Sequence, residues 1–176
     1  MASIMCRQTL WRALLPPRGL RSRRRTNPLG EPQFQNVVFG PWAATMLRTA
    51  GQELVVAAEV STWLTAVCRL ERGPAFRVAL SNAVALALED LGACRSTVAV
   101  ETTLIESAPL VRLSDKQVVE ELGYIASICD IELCYSSDLR RVQRMLNDLP
   151  HGGRNIPVPA EAVATRLATA ARQAAH

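Results

Sequence analysis

The apolar residues that follow Pro74 recur at the spacing of an α-helix, and this pattern constrains the fold more than any other. The intervals are 4, 4, 3 and 4 residues, and the members are Phe76, Leu80, Val84, Ala87 and Leu91. Such spacing places all these side chains on one helical face. Gly73 and Pro74 provide a start for the helix, and Gly92 provides a stop. The chain is therefore expected to contain a long helix that buries an apolar face.

Four other segments carry helix signals. Residues 41–72 predict one long helix, or two helices broken at Gly51, because the apolar residues of the second half share a face. Ser114 and Ser137 are placed as N-caps of two further helices. Their apolar faces would hold Val118, Leu122, Ile125 and Cys129 in the first, and Leu139, Val142, Met145, Leu146 and Leu149 in the second. Pro159 predicts the start of an Ala-rich last helix.

Residues 96–113 have a different character. The sequence STVAVETTLIES is rich in Val, Thr and Ile and alternates loosely, which favours a β-strand. Ala108 and Pro109 predict a turn, and residues 110–113 predict a second strand. This part of the chain is therefore expected to form a short β-hairpin.

Together these patterns predict a mainly α fold, a compact bundle of four to six helices with a short β-hairpin near residues 96–113. Aromatic residues make up only 5% of the chain, so its core must be built mainly from Ala, Val and Leu. The predicted organisation is an Arg-rich arm over residues 1–30, a linker over 31–40, a helical core domain over 41–158, and an Ala-rich C-terminal helix or tail over 159–176.

The positive charge of the chain is concentrated at its N-terminus. Residues 1–30 contain seven arginines and no acidic residue, whereas the rest holds thirteen basic and sixteen acidic residues, a formal charge of −3. The arginines are Arg7, Arg12, Arg18, Arg21, Arg23, Arg24 and Arg25. Binding to a polyanion needs a positive field over the contacting surface. Bulk charge therefore confines any nucleic-acid contact to the arm.

The first half of the arm predicts a short basic amphipathic helix that ends at Pro16. Its apolar side holds Ile4, Leu10, Trp11, Leu14 and Leu15. An Arg-rich, acid-free amphipathic N-terminus resembles a mitochondrial presequence, whose positive charge is drawn inward by the membrane potential. Arg7 and Arg12 interrupt the apolar run, which argues against a secretory signal. The RSRRR cluster over residues 21–25 leaves two alternatives open, a nuclear-import or nucleic-acid contact and a basic tail with no specific role.

Patterns for catalysis and metal binding are not found in the sequence. The two histidines, His151 and His176, are too few for a His-based triad or a His metal cluster. The five cysteines are odd in number and contain no CxxC pair, which argues against structural zinc or a redox dithiol. No phosphate-binding glycine motif is present, and no apolar run approaches the roughly 20 residues that span a bilayer. We therefore expect no catalytic residues, no metal, no cofactor and no transmembrane span.

A second arginine cluster is a candidate contact for an anion or a partner. Arg140, Arg141 and Arg144 lie on a predicted helix, and Arg154 follows just beyond it. Arg140 and Arg144 are one helical turn apart, so they could straddle a phosphate or the carboxylates of a partner. The alternative is a solvated helix face whose arginines favour the C-terminal end of the helix dipole.

The sequence thus favours a non-enzymatic adaptor, assembly factor or complex subunit, delivered to mitochondria by its N-terminal arm. Its expected partner is a protein bound through an apolar helix face. The alternative is a nucleic-acid-binding or virus-type accessory protein that uses the Arg-rich arm, with a nuclear location.

Overall fold

The computed structural model describes residues 3–14, 39–49, 51–150 and 158–174. Within these residues, helices pack on both faces of a five-stranded mixed sheet. The strands are β1 (Ile4–Cys6), β2 (Trp42–Thr49), β3 (Gln52–Glu59), β4 (Thr65–Arg69) and β5 (Leu110–Arg112). The helices are α1 (Gln8–Leu14), α2 (Pro74–Asp90), α3 (Arg95–Ser107), α4 (Lys116–Leu133), α5 (Leu139–Asp148) and α6 (Pro159–Ala174). The predicted helical bundle is therefore wrong, and the fold is α/β.

The strands lie across the sheet in the order β4-β3-β2-β1-β5. β2, β3 and β4 form an antiparallel meander, in which Val56 is opposite Val67. β1 lies between β2 and β5 and runs parallel to both, with Met5 opposite Ala43 on one side and Val111 on the other. A strand from the first six residues of the chain therefore joins β5 to the meander.

The core is divided into two layers by the sheet. Successive residues of a strand point to opposite faces, and on β2 the buried Ala44 packs with α2 and α3 while the buried Ala43 packs with α4 and α5. Leu10 of α1 and Val163 of α6 belong to the same layer as α2. Each face of the sheet is thus covered by at least two helices.

The long helix predicted over residues 41–72 is wrong, because this segment forms β2, β3 and β4. Ala, Leu, Glu and Arg are common here and favour helix. Six successive residues of β3, from Leu54 to Glu59, are buried, so the strand lacks the alternation that marks a half-buried one. Gly51 does interrupt the segment, with a φ of +77° in the tight connection between β2 and β3.

The hairpin predicted near residues 96–113 is also wrong, because its first half is the helix α3. The buried residues of α3 have helical spacing and are Val98, Glu101, Leu104 and Ile105. Thr102 Oγ1 and Thr103 Oγ1 donate to the carbonyls of Val98 and Ala99 at 3.0 and 2.8 Å, so the β-branched hydroxyls are satisfied within the helix. The second half is a strand as predicted, but β5 pairs with β1.

The helices predicted after residues 73, 114, 137 and 158 are confirmed as α2, α4, α5 and α6. The N-caps of α4 and α5 lie one residue later than predicted. Asp115 accepts a hydrogen bond from the amide of Val118 at 3.1 Å, and Asp138 accepts one from the backbone amide of Arg140 at 3.0 Å. Ser and Asp cap helices about equally well. The sequence therefore did not show whether Ser114 or Asp115, and whether Ser137 or Asp138, is the N-cap.

Candidate partner-binding surface

The two tyrosines of the chain are both exposed along α4 and the turn that follows it. Tyr124 is 46% exposed, Ile131 is 57% exposed, and Tyr135 is 82% exposed. We call these three residues the tyrosine patch. Single apolar residues are common on protein surfaces, but large exposed side chains grouped on one element are typical of interaction sites.

α4 holds the patch outward because its opposite face is anchored in the core. Val118, Leu122, Ile125 and Cys129 recur at intervals of 4, 3 and 4 residues and are buried against the sheet. At about 100° per residue, Tyr124 and Ile131 lie within about 20° of each other around the helix and about 10 Å apart along it. Cys134 ends the helix, and the amide of Tyr135 donates to the carbonyl of Glu132 at 3.0 Å. The patch is therefore carried by a well-anchored element.

The surroundings of the patch are acidic. Residues 113–139 contain six acidic residues and one lysine, a formal charge of −5 in a chain whose total is +4. The lysine, Lys116, lies 3.8 Å from Glu120. Among the described residues, Glu121, Asp130 and Glu132 form no salt bridge with a basic side chain. The apolar stripe thus lies in a segment of negative charge, which the Arg7 guanidinium approaches at Gly123.

The predicted arginine cluster of α5 is engaged by an acidic residue of α2. Arg140 Nη2 and Arg144 Nη2 lie 2.6 and 2.7 Å from Asp90 Oδ1, and both side chains also donate through Nε. These hydrogen bonds hold the pKa of the Asp90 carboxyl well below its usual range. An external anion would have to compete with Asp90 for both guanidinium groups. Arg141 is exposed, and Arg154 lies outside the described residues.

Only part of the predicted arm falls on described residues. Ile4 was predicted on the apolar face of a helix and instead lies in β1, where it is fully buried. Leu10 is also fully buried, Trp11 is partly buried against the core, and Arg12 is exposed. The amide of Arg7 donates to the carbonyl of Ala44 at 2.9 Å. The apolar side of α1 therefore faces the sheet in the folded protein.

The other arm residues of the predicted targeting or nucleic-acid segment lie outside the described residues. They are Arg18, Arg21, Arg23, Arg24 and Arg25. Their roles in targeting or in nucleic-acid binding stay predictions from the sequence.

A buried carboxylate at the end of β3 has a structural role that was not predicted from the sequence. Glu59 is fully buried and accepts hydrogen bonds from the amides of Gly40 and Thr62 at 2.9 and 2.7 Å. The hydroxyls of Ser61 and Thr62 donate to it at 2.8 and 2.7 Å. Arg166 of α6 donates to the Ser61 hydroxyl, and its Nη1 lies 3.8 Å from Glu59 Oε1. Donors of the chain itself thus occupy the lone pairs of this carboxylate.

Cys94 differs chemically from the other cysteines. It is exposed at the N-cap of α3, and hydrogen bonds with the hydroxyls of Ser96 and Thr97 lower its pKa to about 7. Burial raises the pKa of Cys6 and of Cys129 to about 12. No group of three His, Cys, Asp or Glu side chains in the described ranges is arranged to hold a metal ion. The helices of those ranges also include none long and apolar enough to cross a membrane.

A scan against models of known protein families finds no match for the chain, and a search of curated proteins likewise finds none. What the protein binds must therefore be inferred from its own surface. The tyrosine patch is the surface that the sequence analysis missed, although it expected an apolar helix face. The available signal was that Tyr124 and Ile131 lie off the buried stripe of α4 that the sequence did identify.

Proposed function

We propose that the protein is a non-enzymatic adaptor or complex subunit that binds a partner protein through the tyrosine patch. The observation that carries this proposal is the exposure of Tyr124 and Ile131 on the solvent side of α4, whose other side is buried, and of Tyr135 in the turn that follows it. Tyrosine is enriched at protein interfaces because it combines a large apolar ring with a polar end. A partner that covers the patch would remove these rings from water.

The size of the patch suits the centre of an interface. A stable interface buries about 800 Å² on each partner. A fully exposed tyrosine contributes roughly 150–250 Å², and Tyr124, which is 46% exposed, contributes about half of that. Two tyrosines and one isoleucine therefore supply the apolar centre, and the surrounding polar residues supply the rim. Tyrosine at such a centre carries a large share of the binding energy in many complexes.

The non-enzymatic part of the proposal is supported by the structural use of two carboxylates, those of Glu59 and Asp90. Glu59 holds the segments around Gly40 and Thr62, and Asp90 holds Arg140 and Arg144. A general acid or base needs a carboxyl group that is within reach of a substrate. These two carboxylates are committed to holding the chain together.

We also propose that residues 1–30 deliver the protein to mitochondria and that residues 3–14 are retained after delivery. Ile4, Cys6 and Leu10 are fully buried in the core, which favours a targeting segment that remains part of the folded protein. A fluorescent reporter fused to residues 1–35 should localise to mitochondria, and Arg7→Gln together with Arg12→Gln should release it. Accumulation of the reporter in the nucleus would contradict the mitochondrial location and favour the nuclear alternative.

The binding proposal is tested by photo-crosslinking of the full chain in the cells that make it. p-Benzoylphenylalanine replaces Tyr135 in one variant and Val78 in a matched control, since Val78 is an apolar residue of α2 that is also about half exposed, at 49%. We expect a discrete crosslinked product from position 135 and none of comparable yield from position 78. Ile131→Glu should abolish that product, whereas Val78→Glu should leave it unchanged. Equal yields at both positions would refute the proposed surface.

A further inference from the structure

We infer that the segment of the partner that covers the tyrosine patch is a basic amphipathic helix, with an apolar stripe flanked by Arg or Lys. This inference rests on the proposed function and adds the chemistry of the partner. It follows from two properties of α4, which are the shape of its apolar stripe and the charges on either side of that stripe, and from the covered outer edge of β4.

The stripe is linear and follows the helix axis. Tyr124 and Ile131 are two turns apart on nearly the same line, and Tyr135 is exposed in the turn just after the helix. A second helix that packs along this line would place apolar residues at intervals of three, four and seven against it. The spacing of the stripe therefore matches the repeat of a helical partner.

Acidic residues flank the stripe on both sides. At about 100° per residue, Glu121 and Glu132 lie about 60–80° to one side of Tyr124, and Glu120 lies about 40° to the other. Within the described ranges, the salt bridge of Glu120 is the 3.8 Å contact with Lys116, and the Glu120 side chain is exposed. In the described part of the chain, Glu121 and Glu132 are free of salt bridges with basic side chains. A partner with basic residues on both sides of its apolar face would match this arrangement.

The same charges disfavour the other occupants. Two copies of this chain would bring two segments of charge −5 together, and like charges across an interface oppose association. A nucleic acid or an anionic lipid surface carries the same sign as α4 and would be repelled. Electrostatic complementarity thus selects a positively charged protein segment.

A strand is a poor alternative to a helix as the partner segment. Addition of a strand requires an open sheet edge with unpaired backbone groups. Gln143 and Asn147 of α5, the helix after α4, already bond the outer edge of β4 through the amides of Val67 and Thr65 at 2.9 and 2.7 Å. The exposed side of α4 offers side chains rather than backbone donors, which suits a helix.

The inference is tested with two synthetic helix-forming peptides of about 20 residues, a length typical of stable amphipathic helices. Both carry the same leucine stripe, flanked by arginines in one peptide and by glutamates in the other. Fluorescence anisotropy with the full-length protein should show binding of the basic peptide only. Its affinity should fall several-fold between about 50 and 300 mM salt, because charge screening weakens contacts at the rim. Equal binding of the two peptides, or binding that does not depend on salt, would overturn the inference.

Matched variants separate the apolar and electrostatic contributions. Ile131→Glu and Tyr135→Ala should each reduce the affinity for the basic peptide by at least about tenfold, and Val78→Glu should leave it unchanged. Glu121→Gln with Glu132→Gln should lower the affinity by about threefold to tenfold, mainly through a slower association rate. A thermal melt of each variant checks that the fold is intact, since all these residues are at least partly exposed.

Sequencing of the partner peptide crosslinked at position 135 distinguishes this inference from the proposed function. A basic helical peptide supports both. A neutral or acidic peptide, a second copy of this chain, or a segment of the same chain would overturn the basic-partner inference. A neutral or acidic peptide from another protein would leave the proposed function intact. A yield no higher than that of the Val78 control would overturn the proposed function itself.

Discussion

Asn147 of α5 pairs with the backbone of Thr65 as a neighbouring strand would. Its Oδ1 accepts from the amide of Thr65 at 2.7 Å, and its Nδ2 donates to the carbonyl of the same residue at 2.9 Å. Gln143, one turn earlier, accepts from the amide of Val67 at 2.9 Å. The helix thus covers the outer edge of β4 with side-chain amides and protects it from pairing with another chain.

Asn147→Asp should destabilise the protein by about 3 kcal/mol. The substitution replaces the buried donor Nδ2 with an anionic oxygen that faces the carbonyl of Thr65, and a buried polar group without a partner costs about 1–3 kcal/mol, or more when it is charged. Urea unfolding followed by circular dichroism measures the change. Asp148→Asn, at the exposed neighbouring position, should change the free energy of unfolding by less than about 0.5 kcal/mol. Similar losses for the two variants would contradict the role assigned to Asn147.

Glu59→Gln should also destabilise the fold, by about 2–4 kcal/mol. The new amide nitrogen is a donor, and it would face the donors of Gly40, Ser61 and Thr62 that now bond the carboxylate. The same network lies beside Trp63, whose positive φ of 59° is unusual for a bulky residue. Differential scanning calorimetry should show a clear drop in the melting temperature.

The matched control for Glu59 is the glutamate at the other end of the same strand. Glu53 pairs with Arg48 at 2.9 Å on the exposed surface, and exposed ion pairs contribute about 0–1 kcal/mol. Glu53→Gln should therefore leave the melting temperature nearly unchanged. If Glu59→Gln lowered the melting temperature as little as Glu53→Gln, the hydrogen bonds of Glu59 would not be stabilising the segments around Gly40 and Thr62.

Four of the helices in the described residues, α2, α4, α5 and α6, could be predicted from sequence because their signals are local. Phe76, Leu80 and Val84 recur at helical spacing, and Pro74 starts α2 at the expected place. α5 is similar, since Val142 and Leu146 lie one turn apart on its buried face. Each such pattern arises from one element that packs one face on the sheet.

Apart from β5, the strands could not be predicted because their stability comes from partners distant in sequence. Leu54 to Glu59 are buried on both faces, which removes the period of two. β1 has only three residues, and its partners Trp42 and Leu110 lie far along the chain. The tyrosine patch shows the same limit, because the sequence pattern of an apolar helix residue is the same whether the core or a partner protein covers that residue.

Stability should decline with acidification partly because of Asp90. Hydrogen bonds from Arg144 and Arg140 lower its pKa in the folded state, whereas an unfolded aspartate has a pKa of about 3.9. The contribution is therefore complete above about pH 4 and is lost as the pH falls below it, because the unfolded state binds the proton first. Asp90→Asn should lower stability at pH 7 by about 1 kcal/mol and flatten the loss between about pH 4 and pH 2. Glu89→Gln, at the exposed neighbour, should preserve the wild-type pH profile.

Cys94 should be the first cysteine to react with iodoacetamide. Its pKa of about 7 gives a substantial thiolate fraction at neutral pH, and the thiolate is the reactive form. Cys6, Cys68 and Cys129 are buried and should react only on unfolding. Mass spectrometry of peptides after brief labelling measures the order. Ser96→Ala with Thr97→Val should raise the pH of half-maximal labelling, and an unchanged pH dependence would contradict the role of the hydroxyls.

Removal of β1 should prevent the chain from folding. Ile4 and Cys6 are fully buried. The segment of β1 hydrogen-bonds on both sides, for example through the amide of Ile4 to the carbonyl of Pro109 next to β5 and through the amide of Arg7 to the carbonyl of Ala44 in β2. Without it, β5 loses its neighbour and the edge of β2 becomes unpaired. A chain that starts at residue 36 should therefore show no cooperative thermal transition by circular dichroism.

Point substitutions in the full chain separate the loss of β1 from a general effect of truncation. Ile4→Ala should cost about 2–5 kcal/mol because it leaves a cavity in the core, whereas Thr9→Ala, at an exposed position of α1, should cost less than about 0.5 kcal/mol. A truncated chain that unfolds cooperatively near the wild-type temperature would show that the sheet does not need β1. The burial of residues 3–14 would then no longer support the proposal that they are retained after delivery.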